Sequence, residues 1–222
     1  MSTVDTPVEP LVRSLPQTQE IVVEKARQYA AANGRALDLG AWSGALTKKL
    51  QDAGFDVSAG DIENHLQIPA KFVALDFNNP GFDRAFAEPF DLVTSVEVIE
   101  HLENPSAFLR SISRLLKPGG IAILTTPNVD NVAARIKFLL SGKIRAMDEM
   151  APEHITPIHL DLFLRQILPK TGLQLLEAFV HPKGDFPLTA RRFMVPLLRL
   201  AGVFLKGPAL TGDCHVFVLR KR

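Results

Sequence analysis

The sequence predicts an α/β fold: a doubly wound, mostly parallel seven-stranded sheet with an antiparallel last strand and helices on both faces. Three observations carry that expectation. Largely apolar strand-like runs alternate with helix-spaced segments, the pattern of a parallel sheet buried on both faces. The run Ala36-Leu-Asp-Leu39 passes through a turn containing Gly40 and Gly44 into a helix-spaced segment, and such a turn bends sharply while leaving room beside the backbone. Acidic residues Asp38, Asp61 and Asp76 stand at or near the ends of successive runs, on the edge where doubly wound sheets receive ligands.

Residues 1 to about 16, with Pro7, Pro10 and Pro16, offer little to pack and are expected as a loose arm, leaving 17–222 as one domain. Gln17 to Asn33 carries Ile21, Val22, Ala26, Tyr29 and Ala30 at helical spacing and stops at Asn33-Gly34. The first strand and glycine turn follow, then a helix over 45–53 closed by Ala53-Gly54. Phe55 to Asp61, Lys71 to Leu75 and Phe90 to Val96 read as strands, with the turn residues Asn78-Asn-Pro-Gly81 between the last two. Ser106 to Leu116 places Phe108, Leu109, Ile112 and Leu115 on one helix face, Lys117-Pro-Gly-Gly120 stops it, and Ile121 to Thr126 is a further strand. Residues 128–155 break the alternation with a helix-like stretch, Val132 to Leu140, and are expected to form a lid. Leu160 to Leu168 reads as a helix, Leu173 to Val180 as a late strand, and Val216 to Leu219 as the last one, completing an antiparallel hairpin at the sheet edge.

Composition narrows the function classes. A chain of 222 residues with 46% hydrophobic residues can bury an ordinary core. A formal net charge of +1 disfavours a strongly electrostatic nucleic-acid binder. Cys214 is the only cysteine, so no internal disulfide or cysteine-rich zinc site can form, and a reducing cytoplasmic setting is expected. Met1 to Pro10 lacks a basic segment followed by an apolar core, so no signal peptide is expected. No apolar stretch approaches the roughly 20 residues of a membrane-spanning helix.

The turn separates two chemistries. A dinucleotide needs its pyrophosphate on a G-x-G-x-x-G turn at a helix N-terminus, whereas here Gly40 and Gly44 are spaced differently and Asp38 would repel phosphate. An acid at that point suits a cationic group such as an ammonium. Asp61, about twenty positions beyond the turn, stands where a ribose-binding carboxylate is expected. Glu97, Glu100, His101 and Glu103 lie close in sequence, yet no H-E-x-x-H or similar pair is present, so no metal site is expected.

Leu37-Asp-Leu-Gly-Ala-Trp-Ser-Gly44, Asp61, Asp76-Phe77, Phe90 to Leu102 and Leu115-Leu-Lys-Pro-Gly-Gly-Ile121 occur in an order and spacing that resembles the class I S-adenosylmethionine-dependent methyltransferases, which have a Rossmann-like fold, especially the small-molecule group that includes the ubiquinone-type O-methyltransferases. The resemblance covers residues 17 to about 180. It implies S-adenosyl-L-methionine as cofactor and S-adenosyl-L-homocysteine as its product. By resemblance, Asp38, Gly40, Ala41, Trp42 and Gly44 hold the methionine part, Asp61 with Ile62 the ribose, and Asp76 and Phe77 the adenine, while Ser95, Val96 and Glu97 line the floor beside the reactive methyl. The chain departs from the family at Trp42, where a glycine is usual. A glycine-only backbone angle there would strain tryptophan, so the turn is expected to be reshaped.

If the acceptor is a hydroxyl, a base near neutral pKa is useful, and histidine supplies one. The candidates are His101, in Glu97-Val-Ile-Glu-His101, and His154, in Pro152-Glu-His-Ile-Thr156, with His159 a lesser one; the plain alternative for His101 is bracing the helix after the strand. The segment 183–208 mixes Phe193, Leu197 and Phe204 with Arg191, Arg192 and Arg199. It reads either as a helix covering the sheet or site, with its arginines solvated, or as a peripheral contact with an anionic membrane. The expected activity is methyl transfer to a small-molecule or lipid-linked acceptor, most often at oxygen. The alternative is a non-catalytic binding or scaffold protein that keeps the fold. Nucleic acid is not an expected partner, and the oligomeric state is not legible.

Overall fold

The computed structural model describes residues 10–182, 196 and 209–222. Its strands are β1 (Arg35–Leu39), β2 (Asp56–Asp61), β3 (Lys71–Ala74), β4 (Phe90–Val96), β5 (Leu116–Pro127), β6 (Leu173–His181) and β7 (Cys214–Lys221). They form one seven-stranded sheet in the order β3-β2-β1-β4-β5-β7-β6. The first five strands pair in parallel, and β7 runs antiparallel to both β5 and β6. The expected fold is therefore found, with the last strand lying inside the hairpin and β6 outermost.

The central strands are mostly apolar because both of their faces are covered. Neighbouring residues point to opposite sides, so Leu37 and Leu39 join one core with Val93, Leu124 and Phe217, while Ala36 joins another with Leu92, Ile123 and Val218. The first core is closed by Phe108, Leu109 and Ile112 of α3 (Pro105–Leu115) and by Phe163; the second is closed by Val22 and Ala26 of α1 (Thr18–Tyr29) and by Leu46 and Leu50 of α2 (Ala45–Asp52). Truncating a fully buried leucine such as Leu50 to alanine removes about 2–5 kcal/mol.

Local signals set the helix ends. Asn104 caps α3 by accepting from the Ala107 N–H at 2.9 Å, ahead of Pro105 in the first turn. Asn131 does the same for α4 (Val132–Ser141), accepting from the Ala134 N–H at 2.8 Å, and Gly142 ends it at φ 68°. α1 ends at Tyr29, earlier than expected, because residues 30–34 turn back, the Gly34 N–H reaching the Ala31 carbonyl at 3.1 Å. The stretch expected as one helix from Leu160 is three pieces: α5 (Leu160–Leu162), a π-helical turn Phe163–Ile167 and a 3-10 turn Leu168–Lys170. Lys117 to Gly120 does stop α3, but as a bulged lead-in to β5 whose register shifts between Phe90 and Leu92.

Residues 10–16, expected as part of a loose arm, instead lie on the glycine turn. The Ser43 hydroxyl donates to the Leu11 carbonyl at 2.6 Å, and the Arg13 guanidinium stands 3.6 Å from the centre of the Trp42 ring. The segment 128–155 is tied down at both ends. The Asn128 amide donates to the Thr211 carbonyl at 2.8 Å, and the Ile155 and Thr156 N–H groups both donate to the Glu100 carbonyl at 2.9 Å. The expected basic segment 183–208 lies, Pro196 apart, outside the described residues. Among the described residues no helix is long and apolar enough to cross a membrane.

Candidate active site

The carboxyl ends of β1, β2 and β4 open into a crevice of about 570 Å³. Asp38 lies at its base, almost fully buried, its two oxygens accepting the hydroxyls of Thr47 at 2.7 Å and Thr94 at 2.9 Å. Burial pushes its carboxyl up to about 6, against the pull of the two hydroxyls. Gly40 has φ 78°, and a Cβ there would sit 2.3 Å from a Val98 methyl, so only glycine fits. The Gly40 and Ala41 N–H groups both donate to the Gly60 carbonyl, at 2.8 and 3.3 Å, which fastens the turn to β2. Trp42 follows at φ 46°, a left-handed angle unusual for a bulky residue. Its N–H donates to one oxygen of Asp61 at 2.8 Å, while the Ile62 N–H donates to the other at 2.7 Å. Asp76 accepts from the Asn78 N–H at 2.9 Å, and Phe77 packs on Phe82 and Phe108 with ring centres 5.3 and 5.7 Å away.

The opposite end is built from the turn after β4 and from residues 153–156. Glu97 has φ 54° and accepts the Thr125 hydroxyl at 2.9 Å; burial pushes its carboxyl up to about 7, with the charge of Asp213 adding to the shift. Glu100 is fully buried, accepts the Thr126 hydroxyl at 3.1 Å through one oxygen, and has no partner for the other among the described residues. Burial, and then the neighbouring Glu97, raise its pKa well above the usual carboxylate range. The rings of His101 and His154 meet edge to face with centres 4.5 Å apart. Nδ1 of His101 lies 3.2 Å from the Glu153 carbonyl and Nδ1 of His154 lies 2.6 Å from the Ala146 carbonyl. A carbonyl partner assigns the His154 proton to Nδ1 and leaves its Nε2 as an acceptor, whereas the His101 ring also meets the Glu97 backbone. Burial, and then His154, lower the His101 pKa. Ligand atoms of Glu100, His101 and His154 all lie within 4.8 Å of one another, a donor set of the kind that holds a divalent cation.

A family model described as a methyltransferase domain matches residues 17–178. The chain belongs to the methyltransferase family. The resemblance to the class I S-adenosylmethionine-dependent methyltransferases is thereby borne out. The ubiquinone biosynthesis O-methyltransferase of Xanthomonas euvesicatoria pv. vesicatoria (strain 85-10) is 30% identical over 184 residues, 77% of this chain and 74% of that protein. The protein of the same name from Caulobacter sp. (strain K31) is 37% identical over 121 residues, 50% of this chain and 46% of that relative. The matched stretch thus spans about half the length of this Caulobacter relative. Among solved structures, a SAM-dependent methyltransferase from Archaeoglobus fulgidus superposes with a TM-score of 0.58 at 17% identity, covering 92% of this chain and 95% of that one. The N-methyltransferase NodS from Bradyrhizobium japonicum WM9, solved with S-adenosyl-L-homocysteine, gives 0.55 at 16% identity, covering 94% and 89%. At such identities the likeness shows the shared fold.

Asp38, Gly40, Ala41, Trp42, Asp61, Ile62, Asp76, Phe77, Val96, Glu97, His101 and His154 all line the same crevice. Two expected residues do not. Ser95 is buried within the sheet beside Leu39 and Leu124, with no partner for its hydroxyl among the described residues. Gly44 faces away: a Cβ there would meet Ile68 at 2.7 Å, so its part is to start α2 at φ 83° without a side-chain cap. His159 is held by Asp130, its Nδ1 2.8 Å from that carboxylate, and is not among the lining residues. The expectation of no metal rested on a missing linear motif; folding supplies a three-residue donor set from two distant stretches instead. Arg13 lines the crevice and gave no signal, because it sits among prolines in a stretch without periodicity.

Proposed function

We propose that this chain transfers the methyl group of S-adenosyl-L-methionine to an oxygen of a small-molecule acceptor. The observation that carries the reading is one crevice with two chemically different ends. At one end lie two carboxylates already oriented by hydroxyl and N–H donors; at the other lie two histidines ring against ring, the half-buried Glu97 and the fully buried Glu100. The donor set fits the cofactor: Asp38 suits an ammonium or sulfonium, Asp61 a pair of ribose hydroxyls and Phe77 an adenine face. When bound, the cofactor supplies an electrophilic methyl on a positively charged sulfur.

The residues of the chain then position the acceptor, exclude water and take the proton. As the acceptor oxygen gains the methyl it loses its hydrogen, and Nε2 of His154, with the ring of His101 against it, is placed to accept it. A divalent cation on Glu100, His101 and His154 would serve the same end by neutralising the glutamates and acidifying a bound hydroxyl. The names of the relatives support a phenolic oxygen of a quinone precursor as acceptor. A lipid-linked acceptor is supported by α4, which carries Phe138, Leu139 and Leu140 exposed, and by Met150 beyond it. On this reading the segment 128–155 is the lid of a cytoplasmic enzyme that touches the membrane peripherally.

The test is release of labelled S-adenosyl-L-homocysteine with phenolic, carboxylate and lipid-linked acceptors, with and without chelator, beside calorimetry with both nucleosides. Turnover on a phenol is the expected result. No heat with either nucleoside would overturn the reading in favour of a scaffold. Co-sedimentation with anionic vesicles at low salt is expected if the acceptor is lipid-linked, and its absence removes the membrane part.

A further inference from the structure

Trp42 is the feature of the turn that the family resemblance does not account for. Its backbone is held at φ 46°, where a bulky side chain is strained, and strain of this kind persists only where surrounding contacts impose it. Those contacts are specific. The Arg13 guanidinium lies 3.6 Å from the centre of the indole, and the ring of His65 stands 4.5 Å from it at an interplanar angle of 45°. The Trp42 N–H is spent on Asp61 at 2.8 Å. Next to it, the Ser43 hydroxyl donates to the Leu11 carbonyl at 2.6 Å, and the Ser43 carbonyl accepts from the Gln67 N–H at 2.9 Å. Trp42 therefore joins three things: through its indole the strap of residues 10–16 and the loop carrying His65, and through its backbone N–H the carboxylate expected to hold a ribose.

We infer that Trp42 is a positioning residue that latches the strap over the nucleoside end of the crevice, so that release of an S-adenosyl nucleoside requires the Arg13–Trp42 contact to open. This rests on the reading that the crevice binds such a nucleoside. Leu11, Arg13 and Ser14 line the crevice, so a strap fixed in this place is part of the wall a ligand must pass. The cation over the indole supplies an attraction that strengthens when water is excluded, and the hydrogen bond to Asp61 makes the same residue sense the ribose. A glycine at position 42 would keep the turn and remove the latch.

The experiment measures dissociation of labelled S-adenosyl-L-homocysteine from the full chain under an unlabelled chase, in wild type, Arg13→Ala, Trp42→Gly, Trp42→Phe and the Arg13→Ala/Trp42→Gly double variant. Each of the two single truncations is expected to speed release about tenfold, and the double variant to release no faster than the quicker single one, because one contact is being broken twice. Trp42→Phe retains a ring face and is expected to stay within about threefold of wild type. Trp42→Gly is expected to keep its melting temperature, since glycine accepts the left-handed angle; a merely structural role would lower it. Amide hydrogen exchange over residues 10–16 without ligand is read in the same variants and is expected to accelerate in both single truncations. An unchanged release rate in Trp42→Gly, or a double variant whose effect is the product of the singles, overturns the latch. Failure of wild type to bind the nucleoside overturns the functional reading instead, and the exchange rates of the strap then judge the latch alone.

Discussion

At the Asp38–Asp61 end of the crevice each oxygen of both carboxylates has a donor: Thr47 and Thr94 for the first, the Trp42 and Ile62 N–H groups for the second. At the Glu97–Glu100 end one oxygen of a fully buried glutamate has none among the described residues, and two neighbouring acids are both pushed toward the neutral form. The first end is organised before any ligand arrives, whereas the second stores an unmet demand that a proton, a cation or an acceptor hydroxyl can meet. On the proposed function, binding falls to the end whose polar groups are satisfied and chemistry to the end whose polar groups are not.

The largest effect that can break this comparison is expected at the second end. His154→Gln should lower kcat by about 100-fold, the usual contribution of a positioned base, and leave cofactor affinity within about threefold of wild type. An equal loss in affinity would place His154 with the binding groups. Next comes Asp61→Ala, which removes a ribose acceptor and strands two N–H donors. Calorimetry with S-adenosyl-L-homocysteine should show affinity falling by about 100-fold, near 3 kcal/mol.

A smaller effect comes from Asp38. A cationic ligand needs the ionised carboxylate, so affinity should hold above pH 6 and fall as pH drops through about 6, approaching tenfold per pH unit. Asp38→Asn should abolish that pH dependence. The smallest is a stability change. A carboxylate whose folded pKa is raised stabilises the fold fully below its unfolded pKa, and that contribution is lost as pH rises through the folded value. Metal-free wild type should therefore melt at a lower temperature at pH 8 than at pH 5 through Asp38, Glu97 and Glu100 together, and Glu100→Gln should recover about 2–4 °C of that loss. Manganese should restore the wild type and leave the glutamine variant unmoved if Glu100, His101 and His154 take a cation.

The first end was legible because its design is local. Asp38, Gly40, Trp42 and Asp61 act through a turn and two strand ends, and each announces itself by residue type and spacing. The second end was legible only in parts. His101 and His154 were singled out separately, but their meeting depends on the Ile155 and Thr156 N–H groups finding the Glu100 carbonyl, which no spacing rule contains. Ser95 was misplaced because strand alternation sends every second residue of β4 away from the crevice floor. Arg13 was missed because a proline-rich stretch shows no periodicity, although the Arg13–Trp42 pair holds it in place. The fold itself is legible nearly complete because burial on both faces leaves the central strands mostly apolar between turn residues; the helix from Leu160 fails as one piece where a π-helical turn and Pro169 intervene.

One consequence of the strand order concerns synthesis on the ribosome. Thr125 and Thr126, which tether Glu97 and Glu100, stand opposite Val216 and His215 on β7. Until that late stretch has emerged and threaded itself beside them, β6 has no partner and both cores lack the side chains of Val216, Phe217, Val218 and Leu219. Closure of the sheet, and with it the support of the acidic end of the crevice, therefore waits on translation of the final strand.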